Sequence, residues 1–208
     1  MGNTRSVSKG SAAPSIAAGT YTHAPSSFTL FWLAISLPLV VWDCGYVLLR
    51  PRTMLGGDLH WPIWSPYALY GEVDHVYGFK AFNANNGFTG AQGLLNALET
   101  VLYLYYAYAY YQNAITVGGK KVIVGRKAAI IVLTAFSAAV MTLSKTVLYW
   151  LCEYFSGFDN IGHNSLPDLI LLWIIPNGAW LVAPTYMIYE LGNEIVNNLA
   201  YGASVKRD

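Results

Sequence analysis

The sequence predicts an all-α integral membrane protein, a bundle of four transmembrane helices with a long interfacial loop between helices 1 and 2. Three observations predict it. The 208 residues are 55% hydrophobic and 11% charged, where a soluble domain carries about 25% charged residues. Aromatics reach 15%, with 16 Tyr and 7 Trp, the residues favoured at a lipid–water boundary. Four apolar runs also reach the roughly 20 residues that a helix needs to cross a bilayer. A barrel would show many short alternating strands instead. The formal net charge of +1 argues against nucleic acid, whose partners present a basic face.

Residues 1–27 are rich in Ser, Ala and Gly, with no apolar core that would make a signal peptide. The lack of acidic residues also fits a transit peptide, but the segment reads as a disordered cytosolic tail. The first run, residues 28–49, is followed by a connection to Gly87 that is aromatic and punctuated by Pro and Gly, "HWPIWSPYALYGEVDHVYGF". It fits an interfacial segment anchored by Trp61, Trp64, Tyr67, Tyr70 and Tyr77, and equally a lid over a cavity between helices. The second run, residues 88–111, is the least apolar, with Asn96, Glu99 and many tyrosines. The third and fourth cover residues 128–151 and 169–189. Residues 28–190 thus form the membrane domain, and 191–208 read as a cytosolic C-terminal tail. Arg5, Lys9, Lys120, Lys121, Arg126, Lys127, Lys206 and Arg207 fall on one side of the spans. Only Arg50, Arg52 and Lys80 fall on the other, which orients both termini toward the cytosol.

An ionisable residue inside a span is costly and marks a candidate site. The candidates are Asp43, Glu99 and Lys145, joined by the amide of Asn177. Asn96, Glu99, Tyr103, Tyr106 and Tyr110 share one helical face by spacing, as do Thr142, Lys145, Tyr149 and Glu153, and again Trp173, Asn177, Trp180 and Pro184. Turned inward, such stripes line an aromatic pocket with a few polar groups, which suits a hydrophobic small molecule. Bland readings stand beside this one. Glu99 and Lys145 form a buried ion pair; Asn177 cross-links helices or satisfies a carbonyl freed by Pro176; Asp43 meets Arg50 or Arg52.

Cys44 and Cys152 lie in apolar runs and read as core residues. The histidines show no metal-ligand spacing, and neither a phosphate loop nor a nucleophile elbow is visible. No metal and no cofactor is expected. The expected partners are the bilayer and a hydrophobic ligand; a homodimer is compatible, and no nucleic acid is expected.

"NGAWLVAP" (177–184) resembles the Asn-x-x-Trp-Leu-Val-x-Pro signature of the emopamil-binding-protein family of sterol Δ8–Δ7 isomerases. "VLYWLCEYFSGF" (147–158), "GHNSLP" (162–167), "LETV" (98–101) and "WSPYALYGE" (64–72) resemble further family segments in the same order. Over about residues 28–190 the chain therefore resembles the EXPERA superfamily, which includes the sigma-two receptor. The resemblance implies an endoplasmic-reticulum membrane domain with a pocket for sterols or amphiphilic cations, Glu99, Asn177 and Trp180 matching pocket positions. It departs on the first helix, where the isomerases carry a His and a Glu one turn apart. Here "LPLVVWDCGYVLL" offers Asp43 alone.

Two functions follow. In the first, Asp43 and Glu99 are the catalytic pair of an isomerase or cyclase that protonates and deprotonates a sterol or terpenoid. Trp180 and Tyr103 face the carbocation, and Asn177, Tyr149 and Lys145 complete the substrate wall. In the second, the same pocket binds a sterol or protonated amine without catalysis.

Overall fold

The computed structural model describes residues 20–205. The chain is mostly helical: α1 (Ser27–Leu48), α2 (Pro66–Val73), α3 (Phe79–Asn83), α4 (Phe88–Asn113), α5 (Gly125–Phe155), α6 (Leu166–Asp168) and α7 (Ile175–Val205). A π-helical stretch, Leu169–Ile174, joins α6 to α7 without a break. Three helical segments among the described residues are long and apolar enough to cross a membrane: Ser27–Leu48, Gly125–Phe155 and Leu166–Ala200. This is compatible with a multi-pass membrane protein. The second predicted run, residues 88–111, lies within the 26-residue helix α4, which is not among these three because its tyrosines and Asn96 make it less apolar.

The long helices pack in a chain of neighbours, α1 on α4, α4 on α5 and α5 on α7. Small residues allow the closest of these contacts. Ala128, Ala135, Ala138 and Ala139 of α5 are fully buried and bring its backbone near Met187 and Leu191 of α7. Gly93 of α4 does the same for α1, since a Cβ there would lie 2.7 Å from Val47 Cγ1. Ser26 caps α1 by accepting from Thr29 N at 3.1 Å, as expected of a Ser at that position.

Three differences from the sequence reading concern the chain's ends and one loop. Residues 20–26 are part of the fold and not of a tail, while residues 1–19 lie outside the described residues. Strand β1 (Thr22–His23) pairs antiparallel with β3 (Lys120–Val124), which pairs in turn with β2 (Ile115–Val117), in the order β1-β3-β2. The β2–β3 turn is Gly118-Gly119, at φ +56° and +80°. Both are positive, as a two-residue hairpin turn of matching twist requires, and Gly alone reaches such values without cost. Finally, α7 does not stop at residue 190 but runs helical to Val205. Its Glu194 accepts from Tyr21 Oη at 2.6 Å and meets His23 Nδ1 at 2.9 Å, and His23 Nε2 meets Tyr106 Oη at 2.8 Å. The residues before α1, the basic hairpin and the last turns of α7 thus gather at one end of the molecule.

Candidate functional site

The connection between α1 and α4 folds back over the helices. Together they enclose a cavity of about 440 Å³, within the range of small-molecule sites. Pro66, Tyr67, Leu69, Tyr70, Val73 and Tyr77 come from the connection. α1 adds Leu39, Val40, Trp42 and Asp43; α4 adds Phe88, Thr89, Gln92 and Asn96; α5 adds Lys145, Thr146 and Tyr149. The π-helical stretch and α7 close it with Leu171, Leu172, Pro176, Asn177 and Trp180. The lining is chiefly aromatic and aliphatic, and Asp43 is the carboxyl in it.

Asp43 is held from two sides. Tyr67 Oη donates to Oδ1 at 2.7 Å, and Asn96 Nδ2 donates to Oδ2 at 3.1 Å. Arg50 and Arg52 do not meet it: Arg50 donates to the Val47 and Val76 carbonyls, and Arg52 pairs with Asp58 at the surface. From Asn96 a polar chain runs inward. Lys145 Nζ donates to Asn96 Oδ1 and lies 3.4 Å from Glu99 Oε2, which also accepts from Thr142 Oγ1 at 2.8 Å. Tyr103 Oη stands 3.4 Å from that same Thr142 hydroxyl. Glu99 and Tyr103 are therefore buried behind the wall, with Lys145 between Glu99 and the cavity. One Glu99 oxygen, Oε1, meets no partner among the described residues.

Asn177 lies in the wall, though its partners differ from those expected. Its Nδ2 donates to the Trp173 carbonyl at 2.9 Å and to Tyr70 Oη at 3.3 Å, not to Glu99. Pro176 has no N–H, and the helix widens to π pitch just before it, Ile175 N reaching Ile170 O. The Asn177 amide thus ties this irregular turn to α2. Trp180 lines the cavity and packs edge-on against Trp32 of α1, with ring centroids 5.0 Å apart.

Sequence reasoning missed Asp74, a fully buried carboxyl in the connection just after α2. Its Oδ2 accepts from Tyr149 Oη and, at 3.0 Å, from Trp173 Nε1; its Oδ1 accepts from Val76 N at 3.0 Å. Burial pushes its carboxyl up to about 7, against the pull of the Val76 and Trp173 hydrogen bonds. Asp74 pins the connection to α5 and the π-helical stretch, and so holds Tyr149 in the wall. Gln92 was also missed, although its place one turn before Asn96 was a usable signal.

No family model, curated protein or solved structure matches the chain.

Proposed function

We propose that this chain is a multi-pass protein of the endoplasmic-reticulum membrane that performs acid–base chemistry on an isoprenoid. The reaction is isomerisation or ring closure of a sterol or terpenoid through a carbocation. The observation that carries this reading is Asp43, a carboxyl set in an apolar and aromatic wall beside an ammonium that already has a partner. Lys145 is one cation next to two carboxyls. Glu99 is its ion-pair partner, which leaves Asp43 as the carboxyl that carries a proton to the cavity.

The step balances without a cofactor. The π electrons of a substrate alkene take the Asp43 proton, which makes one C–H bond and leaves a cation on the adjacent carbon. Tyr67, Tyr70 and Trp180 offer ring faces to that charge. Loss of a proton from a neighbouring carbon to the Asp43 carboxylate restores a double bond in a new position and reloads the acid. In ring closure, a second alkene attacks the cation first, forming a C–C bond. Glu99 keeps Lys145 charged and placed, and acts on the substrate through it. Asn177 holds Tyr70 against the reacting region.

Four spans are part of the proposal. Leu94, Leu98, Val101 and Leu104 of α4 are all exposed, as are Phe31 and Val41 of α1, Leu133 and Leu148 of α5, and Val182 of α7. Contiguous apolar surface on every long helix suits lipid contact. The gathering of residues 20–26, the Lys120–Val124 strand and the end of α7 on one side supports both termini facing the basic, cytosolic side.

The test is deuterium incorporation. Purified protein in D2O is given sterol and terpenoid alkenes, and products are read by mass spectrometry. Turnover should place one deuterium on the protonated carbon, and Asp43→Asn should lose it while still binding substrate. Tight binding with no deuterium in any product would favour the second reading, a non-catalytic sterol or amine binder, which having Asp43 as the carboxyl in the wall would also serve. Wild-type turnover by Asp43→Asn would remove Asp43 from the mechanism.

A further inference from the structure

Gln92 stands on α4 one turn before Asn96, on the same face, and lines the cavity. Its Nε2 donates to the backbone carbonyl of Lys145 at 3.1 Å. Because that partner only accepts, the amide must turn its nitrogen to α5 and leave its oxygen on the other side. That oxygen, Oε1, is buried and meets no donor among the described residues. A buried acceptor without a donor is costly, so the neighbouring donors matter.

Each of them has a partner elsewhere. Thr89 Oγ1 donates to Val76 O at 2.7 Å, and Tyr149 Oη donates to Asp74. Lys145 is engaged by Asn96 and Glu99, and the Asn96 amide nitrogen serves Asp43. None of them bonds Gln92 Oε1, and a ligand in the cavity can bring the donor it lacks. On the isoprenoid reading of the cavity, the donor that a ligand carries is a hydroxyl. Leu39 of α1, Leu69 of α2 and Leu171 of the π-helical stretch also line the cavity, and all three are exposed.

We propose that Gln92 Oε1 receives a hydroxyl donated by the ligand, so that the cavity selects isoprenoid alcohols over the corresponding hydrocarbons. The hydroxyl end lies against α4 and α5, and the apolar body extends between α1, α2 and the π-helical stretch toward the lipid side. This rests on the reading of the cavity as an isoprenoid site and adds to it the class of substrate and the residue that recognises it.

The experiment titrates purified protein in detergent with two matched pairs: cholesterol and cholest-5-ene, and geranylgeraniol and the hydrocarbon of the same skeleton. The wild type should bind the alcohol of at least one pair about tenfold more tightly than its hydrocarbon. In Gln92→Met, which keeps the side-chain length without the acceptor, that preference should fall to within about twofold while hydrocarbon binding holds. Gln92→Ser, too short to reach, should behave the same way and serves if the Met variant does not fold. Wild-type indifference between alcohol and hydrocarbon would overturn the proposal and leave the isoprenoid site intact. So would a preference that survives in the folded variant. Binding of none of the four probes would remove the isoprenoid site itself, and this proposal with it.

Discussion

Lys145 of α5 holds its ammonium 3.4 Å from Glu99 Oε2 and bonds Asn96, whose amide nitrogen reaches Asp43 Oδ2 at 3.1 Å. One cation therefore serves carboxyls from two other helices, and its removal should be felt by both. Lys145→Met leaves Glu99 buried without a counter-charge. Loss of one member of a buried pair costs about 3–5 kcal/mol, whereas neutralising both members together costs far less. The single variant should melt well below wild type in the same detergent, and Lys145→Met with Glu99→Gln should recover most of the difference. Equal losses in the single and double variants would mean that the two groups are not coupled.

The Asp43–Asn96 bond depends on how closely α1 approaches α4. That approach runs through Gly93, where a Cβ would stand 2.7 Å from Val47 Cγ1, and where Cys44 Sγ lies 3.5 Å from the Gly93 carbonyl. Gly93→Val should push the helices apart and cost about 1–3 kcal/mol, as overpacking does. Adding Val47→Ala removes the methyl in the way and should restore part of the stability. Ligand affinity should follow the same order of variants. If Gly93→Val melts at the wild-type temperature, the contact is looser than described.

The long helices were legible because apolar runs of spanning length have few other uses, and their ends fell within a few residues of prediction except at the end of α7, which runs on to Val205. The two tails were misread for a physical reason. Glu190 and Glu194 look like solvated charges in any local window, yet they accept from Ser26, Thr29 and Tyr21, more than 160 residues away. The hairpin carried a signal, the Gly118-Gly119 pair between β-branched residues, but the basic residues around it read as a topological marker instead. In the site, Asp43, Lys145, Tyr149, Asn177 and Trp180 were visible because polar or bulky groups inside spans need a reason. Helical spacing put Glu99 and Tyr103 on the same face as Asn96, and it carries no information about depth behind Lys145. Asp74 was not legible at all. Its partners, Tyr149 and Trp173, come from α5 and the π-helical stretch, far along the chain.

Asp74 also gives the site a pH dependence. Its carboxyl is raised to about 7 in the folded chain, chiefly by burial, against about 3.9 when unfolded. The folded state thus favours the protonated form. The stability this confers is full below about pH 4, declines as pH rises and is gone above about pH 7. Asp74→Asn keeps the shape with no titration. The melting temperature of wild type relative to this variant should therefore fall steadily between pH 4 and 7 and level off above. A constant gap across that range would mean that Asp74 stays in one protonation state throughout.

Asn177 joins three features that share one turn of helix. Pro176 removes a backbone donor, the preceding stretch is π-helical, and the Asn177 amide donates to Trp173 O at 2.9 Å and Tyr70 Oη at 3.3 Å. Asn177→Leu keeps the volume and makes neither bond. The Trp173 carbonyl then lacks its side-chain donor in an already irregular turn, a loss of about 1–3 kcal/mol for a buried group. Tyr70 loses the tie that holds α2 over the cavity. Two readouts separate these effects. Tyr70→Phe removes only the bond to α2, so it should lower ligand affinity or turnover with little change in melting temperature. Asn177→Leu should do both, inserting and folding but melting lower and binding more weakly than Tyr70→Phe. If Asn177→Leu is less stable yet binds and turns over like wild type, the amide serves the helix alone and Asn177 leaves the site.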